Sequence, residues 1–172
     1  MVDYKKLAVE IHEAAVQKGF WDVNDAVEKH AAKMISELGE VIQADRAGIM
    51  YEIERDGAKP EGVVAELADF AMMTLDLCEV CEFYVPEVDV SAWREHDDEV
   101  QEHYENLTVY NLVGCLNATF NAFGGDNANL HALDIIWLIH HWLLARGYDL
   151  PDIIRQKMEY NKSRPALHGR AY

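Results

Sequence analysis

The chain has 172 residues, half of them hydrophobic and 27% charged, a composition that fits one folded domain and excludes a disordered chain. Its formal net charge is −16, with 31 acids against 15 bases. This charge argues against binding to nucleic acid polymers or anionic membranes, because both need a basic surface. The apolar runs are far too short for a membrane span, and the first residues lack a signal-peptide pattern. We therefore expect a cytoplasmic protein with no membrane partner.

Apolar residues recur at helical spacing along most of the chain, and no stretch alternates as a strand does. The sequence therefore predicts an all-α helical bundle of five or six helices. Glycines that follow the apolar stretches, at Gly19, Gly48 and Gly147, indicate three of the helix ends. Residues 84–104 are interpreted as a connector with at most some helix. The predicted helices span roughly residues 3–18, 25–47, 62–83, 107–123, 130–146 and 149–160.

We interpret the chain as a single domain, residues 1–172, that has three parts. These are an acidic half (1–83), a connector with a second half (84–146) and a C-terminal segment (147–172). The second half contains a faint echo of the first, because Glu66-Leu-Ala-Asp69 and His131-Ala-Leu-Asp134 both lie in front of an apolar helix. Such an echo is typical of an internally duplicated helix pair. The helix before the second copy has no acid, so the pattern leaves the duplication open.

Two acidic pairs are the most informative feature: Glu37 with Glu40, and Glu66 with Asp69. The acids of each pair are three residues apart, so on a helix they point to nearly the same side, about 60° apart. Consecutive helices pack antiparallel, and four carboxylates brought together in this way cannot all stay ionised without a cation. Hard ions such as Mg²⁺ prefer oxygen ligands. The alternative is an ordinary solvated surface, since exposed helices often carry such pairs.

Polar side chains near the C-terminus suit an anionic substrate. Lys157, Asn161 and Arg164 are spaced at i, i+4 and i+7, so a helix that continued through them would present one stripe of phosphate donors. The alternative is a basic helix end that interacts with the helix dipole. Lys33, one turn before Glu37, could reach a phosphate or neutralise the acids.

Two aromatic residues precede the first acidic helix. Phe20 and Trp21 could stack on a nucleobase, although core packing or a hydrophobic staple is the commoner role of such residues. Asp76 lies seven residues after Asp69, on the same line of a helix. It could be an outer metal ligand, and a surface acid is the equally good alternative.

The acidic pairs, with 25 residues between Glu40 and Glu66, resemble the signature of the all-α nucleoside triphosphate pyrophosphohydrolases, the MazG-like superfamily. Three further stretches are similar to segments of that family: residues 18–22, residues 59–62 and the Lys157…Asn161…Arg164-Pro165…His168-Gly169 ending. One departure is Ser36, which stands where many members have a further glutamate. The resemblance covers about residues 5–83 and 147–170.

The resemblance implies a Mg²⁺-dependent hydrolysis of a (deoxy)nucleoside triphosphate to the monophosphate and pyrophosphate, with Mn²⁺ as the alternative ion. It gives Glu37, Glu40, Glu66 and Asp69 as metal ligands, and Glu40, with Glu37, as the candidate proton acceptor. Lys33, Lys157, Asn161 and Arg164 would contact phosphates, and Phe20 and Trp21 the base. We also expect a homodimer, because such helix pairs need a partner to cover their second apolar face.

Three other functions fit parts of the pattern. A phosphoribosyl-ATP pyrophosphohydrolase uses similar acidic helices, but the long connector and the Trp-rich second half disfavour it. A ferritin-like di-iron protein needs acid-x-x-His pairs, and neither acidic helix has one. A non-catalytic helical protein could also carry these acids, either to bind a metal or, in an interaction protein, as ordinary surface residues.

Overall fold

The structure is a computed structural model that describes residues 3–21, 27–53, 59–83, 85, 98–121 and 128–165. The described residues form seven α-helices and no strand. Their bounds, in chain order, are α1 Tyr4–Gln17, α2 Val27–Ala47, α3 Val63–Val80, α4 Asp98–Asn106, α5 Val109–Asn121, α6 Ala128–Leu144 and α7 Leu150–Ser163. The predicted all-α class is therefore confirmed. None of these helices combines the length and the apolar character that a membrane span needs.

Local signals in the sequence account for several helix ends. The carboxylates of Asp3 and Asp149 accept hydrogen bonds from the backbone N–H three residues on, so each caps a helix start. Gly19, Gly48 and Gly147 have positive φ angles of 76°, 74° and 80°. A positive φ carries little cost for glycine, and the three predicted stops are therefore confirmed.

α3 is the central helix of the fold. It packs against α1, α2, α6 and α7, and most of its side chains are buried. The phenyl ring of Phe70 meets that of Phe120 from α5 edge to face, with ring centroids 6.0 Å apart. A helix that is apolar almost all round must be covered on every side, so α3 organises the core.

A backbone clasp joins α2 to α3. The N–H groups of Val63 and Val64, at the start of α3, donate to the carbonyls of Ile49 and Met50, each at 3.0 Å. Glu52 and Glu61 close the loop between the helices with a reciprocal pair of backbone hydrogen bonds, also at 3.0 Å. Because the first N–H groups of a helix lack partners within it, this clasp fixes the start of α3 against the end of α2.

The second half of the chain repeats part of this arrangement. α6 packs on α3, α5 packs on both α2 and α6, and α4 packs on α6 as α1 packs on α3. The ends of α3 and α6 also match. Phe83 N–H donates to the Cys78 carbonyl at 2.8 Å, and Tyr148 N–H donates to the Leu143 carbonyl at 3.0 Å. Glu82, just before Phe83, has a positive φ of 54°, like Gly147 before Tyr148. The sequence echo therefore has a structural counterpart.

Candidate functional site

Three of the four predicted acids converge between α2 and α3. Glu37, Glu40 and Glu66 each offer a carboxylate oxygen, and these oxygens lie within 4.8 Å of one another. Glu66 is buried, Glu37 is half-buried and Glu40 is exposed, so the group runs from the protein interior to the surface. Carboxylate oxygens at this spacing can bind one hard cation. Three of the four predicted carboxylates thus lie together, and Asp69 is not part of this close group.

The local sequence explains this convergence. On α2 the buried residues Met34, Leu38 and Val41 face the core, and the two glutamates lie at the edge of that stripe. On α3, Glu66 falls in the first turn, directly after the clasp. Because the clasp fixes the end of α2 against the start of α3, Glu66 must lie beside α2.

The acids strongly affect one another. Burial, together with the negative charges of Asp69, Glu40 and Glu66, raises the pKa of Glu37 to about 8, although the ammonium of Lys157 lowers it. Burial also raises the pKa of Glu66, which the ammonium of Lys157 opposes. In the metal-free protein Glu37 therefore keeps its proton at neutral pH. The negative charge at this site exceeds what the neighbouring lysines neutralise.

Asp69 and Lys157 form an ion pair at the inner side of the site. The Lys157 ammonium contacts the Asp69 carboxylate, lies 3.9 Å from Glu66 and donates to the Ala65 carbonyl at 3.1 Å. Only 2% of Lys157 is exposed. In this structure Asp69 is therefore held by a lysine, and it lies outside the group of three glutamates that share the 4.8 Å spacing.

The other predicted phosphate contacts are dispersed. Asn161 is half-buried, one turn after Lys157 on α7. Arg164 follows the last helical residue in an extended conformation, and its guanidinium lies 5.6 Å from the Tyr160 ring centroid. Because α7 ends at Ser163, the condition for a single helical stripe is not met at Arg164, and its contact with phosphate stays a prediction. Lys33 is half-buried one turn before Glu37. His168 lies outside the described residues.

Trp21 belongs to a second polar cluster. Its indole N–H donates to one oxygen of Asp76 at 2.7 Å, and the His12 Nδ1 atom lies 2.8 Å from the other oxygen. The His30 ring stacks on the indole with centroids 3.4 Å apart. Asp76 thus has both oxygens in hydrogen bonds within the protein. Phe20 is half-buried, and base stacking by Phe20 and Trp21 stays a prediction.

Two residues near these groups escaped the sequence analysis. His30 lies seven residues before Glu37, hence on the same line of α2, and this spacing was a usable signal. The Lys59 ammonium lies 3.9 Å from Glu66 and 3.7 Å from Glu61. Lys59 lies in the loop before α3, so helical spacing cannot relate it to Glu66. This contact could be recognised only from the three-dimensional structure.

Comparisons of the sequence with protein-family models, with curated proteins and with solved structures gave no match. The chemistry of the site therefore has to be argued from its own residues. Among the described residues, the close group consists of three glutamates and includes no histidine, which suits a hard oxygen-seeking ion better than a di-iron centre.

Proposed function

We propose that the protein is a Mg²⁺-dependent pyrophosphohydrolase that converts a (deoxy)nucleoside triphosphate to the monophosphate and pyrophosphate. The observation that carries the proposal is the convergence of Glu37, Glu40 and Glu66 within 4.8 Å. The motifs that resemble the MazG-like superfamily supply the reaction. Removal of unwanted nucleotides from the cellular pool is the matching physiological role.

The donor set fits the ion. Mg²⁺ and Mn²⁺ take carboxylate oxygens, and Mg²⁺ leaves several of its positions to water and substrate phosphates. Glu37, Glu40 and Glu66 would hold it, and Glu37 would release its proton on binding. When bound, the ion would neutralise phosphate charge and activate a water molecule.

The protein groups around that ion have separable roles. Glu40 is the most exposed of the three glutamates and is our candidate to accept the proton of the attacking water. Lys59, whose side chain is 42% exposed, is placed to meet an incoming phosphate, and Lys33, Asn161 and Arg164 are the further candidates. Such positive charges favour phosphoryl chemistry through positioning and electrostatics.

The test is to supply each (d)NTP with Mg²⁺ or Mn²⁺ and to measure pyrophosphate and orthophosphate separately. We expect pyrophosphate as the primary product, and a loss of about 100-fold or more in kcat for Glu40→Gln if this residue is the proton acceptor. Glu79→Gln is the matched control, because Glu79 is an exposed acid on α3 and takes no part in the site.

Two results would refute the proposal. Orthophosphate as the primary product would mean a different bond is cleaved. The absence of turnover, together with a melting temperature that neither Mg²⁺ nor nucleotide changes, would favour the non-catalytic helical protein instead.

A further inference from the structure

Lys157 has an environment unlike that of a substrate-binding lysine. It is 2% exposed, and its ammonium contacts the Ala65 carbonyl and the Asp69 carboxylate, with Glu66 at 3.9 Å. In this structure the ammonium is thus buried and engaged with groups of the protein, and it is not open to a substrate phosphate. The ammonium therefore serves the protein's own acids.

The packing of α7 explains how a charged group comes to lie there. Leu150, Ile153 and Ile154 are buried, and Lys157 follows them at i+7, i+4 and i+3, so its stem lies on the same face of the helix. That face packs on α3. The stem of Lys157 carries the ammonium to the first two turns of α3, next to Glu66 and Asp69.

A buried ammonium is costly unless an acid neutralises it, so Lys157 and Asp69 depend on each other. With Asp69 engaged in this way, the three glutamates remain as the close group of oxygens. The position just before Glu37 adds no acid, because it is a serine. Ser36 is exposed, and its hydroxyl donates to the Lys33 carbonyl at 2.8 Å. The three close carboxylate oxygens could hold one ion, and the Lys157 ammonium lies against Asp69 and within 3.9 Å of Glu66.

On the basis of the proposed metal centre, we infer that Lys157 is a positioning residue whose ammonium holds Asp69 and takes the place of a second cation, so that the protein binds one divalent ion per chain. This changes the expected role of two residues. Asp69 becomes the counter-ion of a lysine instead of a metal ligand, and Lys157 becomes a fixed internal cation instead of a phosphate contact.

The inference is tested by counting Mn²⁺ ions bound per chain, using electron paramagnetic resonance titrations of the full-length protein. Lys157→Met keeps the length of the stem and removes the charge, and Lys157→Gln is a second neutral variant. Lys157→Arg keeps the charge. Lys162→Met is the matched control, because Lys162 is an exposed lysine on the same helix that pairs with Glu159.

We expect one Mn²⁺ per chain in the wild type, in Lys157→Arg and in Lys162→Met, and a second Mn²⁺ in the neutral variants. Mn²⁺ should also raise the melting temperature of the neutral variants more than that of the wild type, because the ion replaces the missing ammonium. Folding of a neutral variant only in the presence of Mn²⁺ would support the inference in the same way.

Several outcomes would overturn it. Two ions in the wild type would show that the lysine does not exclude a second one. One ion in the neutral variants, with a raised KM and no extra stabilisation by Mn²⁺, would make Lys157 a phosphate contact. Neutral variants that fail to fold even with Mn²⁺ would show that an ion cannot replace the ammonium. A wild type that binds no Mn²⁺ would instead remove the proposed function itself.

Discussion

Glu37 owes its acid–base behaviour to residues that are remote from it in the sequence. Of the charges that raise its pKa, Asp69 on the neighbouring helix has a larger effect than Glu40 on its own helix. The sequence spacing predicts that these acids share a face. It does not predict that Glu37 lies deep enough to keep a proton at neutral pH, because burial depends on how α2 meets α3.

This protonation makes the stability of the metal-free protein depend on pH. The pKa of Glu37 is about 8 in the folded chain, against an ordinary value of 4.5 for a glutamate, so the folded state binds the proton more tightly than the unfolded state. The stabilisation is complete below pH 4.5 and is lost as the pH rises to about 8. We expect urea titrations in EDTA to show a free energy of unfolding that falls over this range, by at most about 1.4 kcal/mol per pH unit.

Glu37→Gln is the control for this pH dependence, because glutamine cannot titrate. The variant should lose most of the slope between pH 5 and about 8. An equal slope in the variant and the wild type would show that other groups cause the dependence. Saturating Mg²⁺ should reverse the slope in the wild type, since the ion binds the deprotonated carboxylate.

Asp76 is a second residue whose role depends on tertiary contacts. Its carboxylate joins His12 of α1 and the indole of Trp21 to α3. Asp76→Asn removes the charge and one of the two acceptor oxygens, and we expect it to destabilise the fold by about 1–3 kcal/mol. Asp134→Asn is the control, because Asp134 is 64% exposed and its substitution should cost less than about 0.5 kcal/mol. Equal effects in urea unfolding would contradict the role of Asp76.

The sequence alone does not show which role each of these acids has. Glu66, Asp69 and Asp76 look alike in the sequence, since each flanks the apolar stripe of one helix. They differ in the residues that they contact. Glu66 lies next to the glutamates of α2, Asp69 pairs with Lys157, and Asp76 interacts with His12 and Trp21. Lys157 lies 88 residues from Asp69 in the chain, and helical periodicity carries no information at that separation.

At the scale of elements, the hairpin of α2 and α3 depends on Gly62. This residue precedes α3 with a φ of 103°, and a Cβ atom there would lie 2.7 Å from the Met50 carbonyl oxygen. Gly62→Ala should therefore destabilise the protein by about 2–3 kcal/mol. It should also weaken Mn²⁺ binding, because Glu66 lies in the first turn that the clasp holds. Thermal unfolding and Mn²⁺ titration measure the two effects.

Gly114→Ala is the matched control for this substitution. Gly114 is within α5, and a Cβ atom there would meet nothing within 4 Å. Alanine favours a helix over glycine by about 0.5–1 kcal/mol, so the control should be neutral or stabilising. A Gly62→Ala variant as stable as wild type would mean that the clasp can rearrange at no cost.

The helices themselves were largely predictable, because apolar periodicity and glycine stops are local signals. α1 and α3 lie within a few residues of their predicted bounds. α4, by contrast, begins inside the predicted connector, which was expected to hold some helix, and runs past its predicted end at residue 104. Its sequence has few apolar residues, and tertiary contacts hold its C-terminal end. The guanidinium of Arg146, which follows α6, donates to the Tyr104 and Leu107 carbonyls, each at 3.0 Å, and the Trp142 indole also donates to the Leu107 carbonyl. Long-range contacts thus hold an element that the local pattern barely indicates.

At the scale of the whole molecule, the second half of the chain covers the first. The expectation of a homodimer rested on an apolar face of the acidic helix pair that a partner would cover. In this structure α6 and α7 pack on α3, and α5 packs on α2, so that face is met within the chain. A homodimer stays a prediction, and the uncovered apolar face on which it rested is not seen among the described helices.

α3 and α6 are alike in structure, but among the described residues only α3 contributes to the close group of acids. The turns that end the two helices match, and His131 and Asp134 occupy the places that Glu66 and Asp69 have in the first half. Their side chains lie 3.8 Å apart as a local pair. The helix that precedes them, α5, has no acid, so within the described residues the second half has no counterpart of Glu37 and Glu40.

The packing of α5, α6 and α7 on the first helices predicts how the acidic half behaves in isolation. A fragment of residues 1–83 retains α1, α2 and α3, but it loses the helices that cover the remaining faces of α3 together with Lys157. Large apolar areas would then meet water at about 25 cal/mol per Å², and Asp69 would lose its counter-ion. We expect circular dichroism to show little cooperative melting, and size-exclusion chromatography to show aggregates.

Co-expression with residues 84–172 should restore a soluble helical complex that binds Mn²⁺. A 1–83 fragment that is monomeric and melts cooperatively would show that the second half is not needed to complete the core.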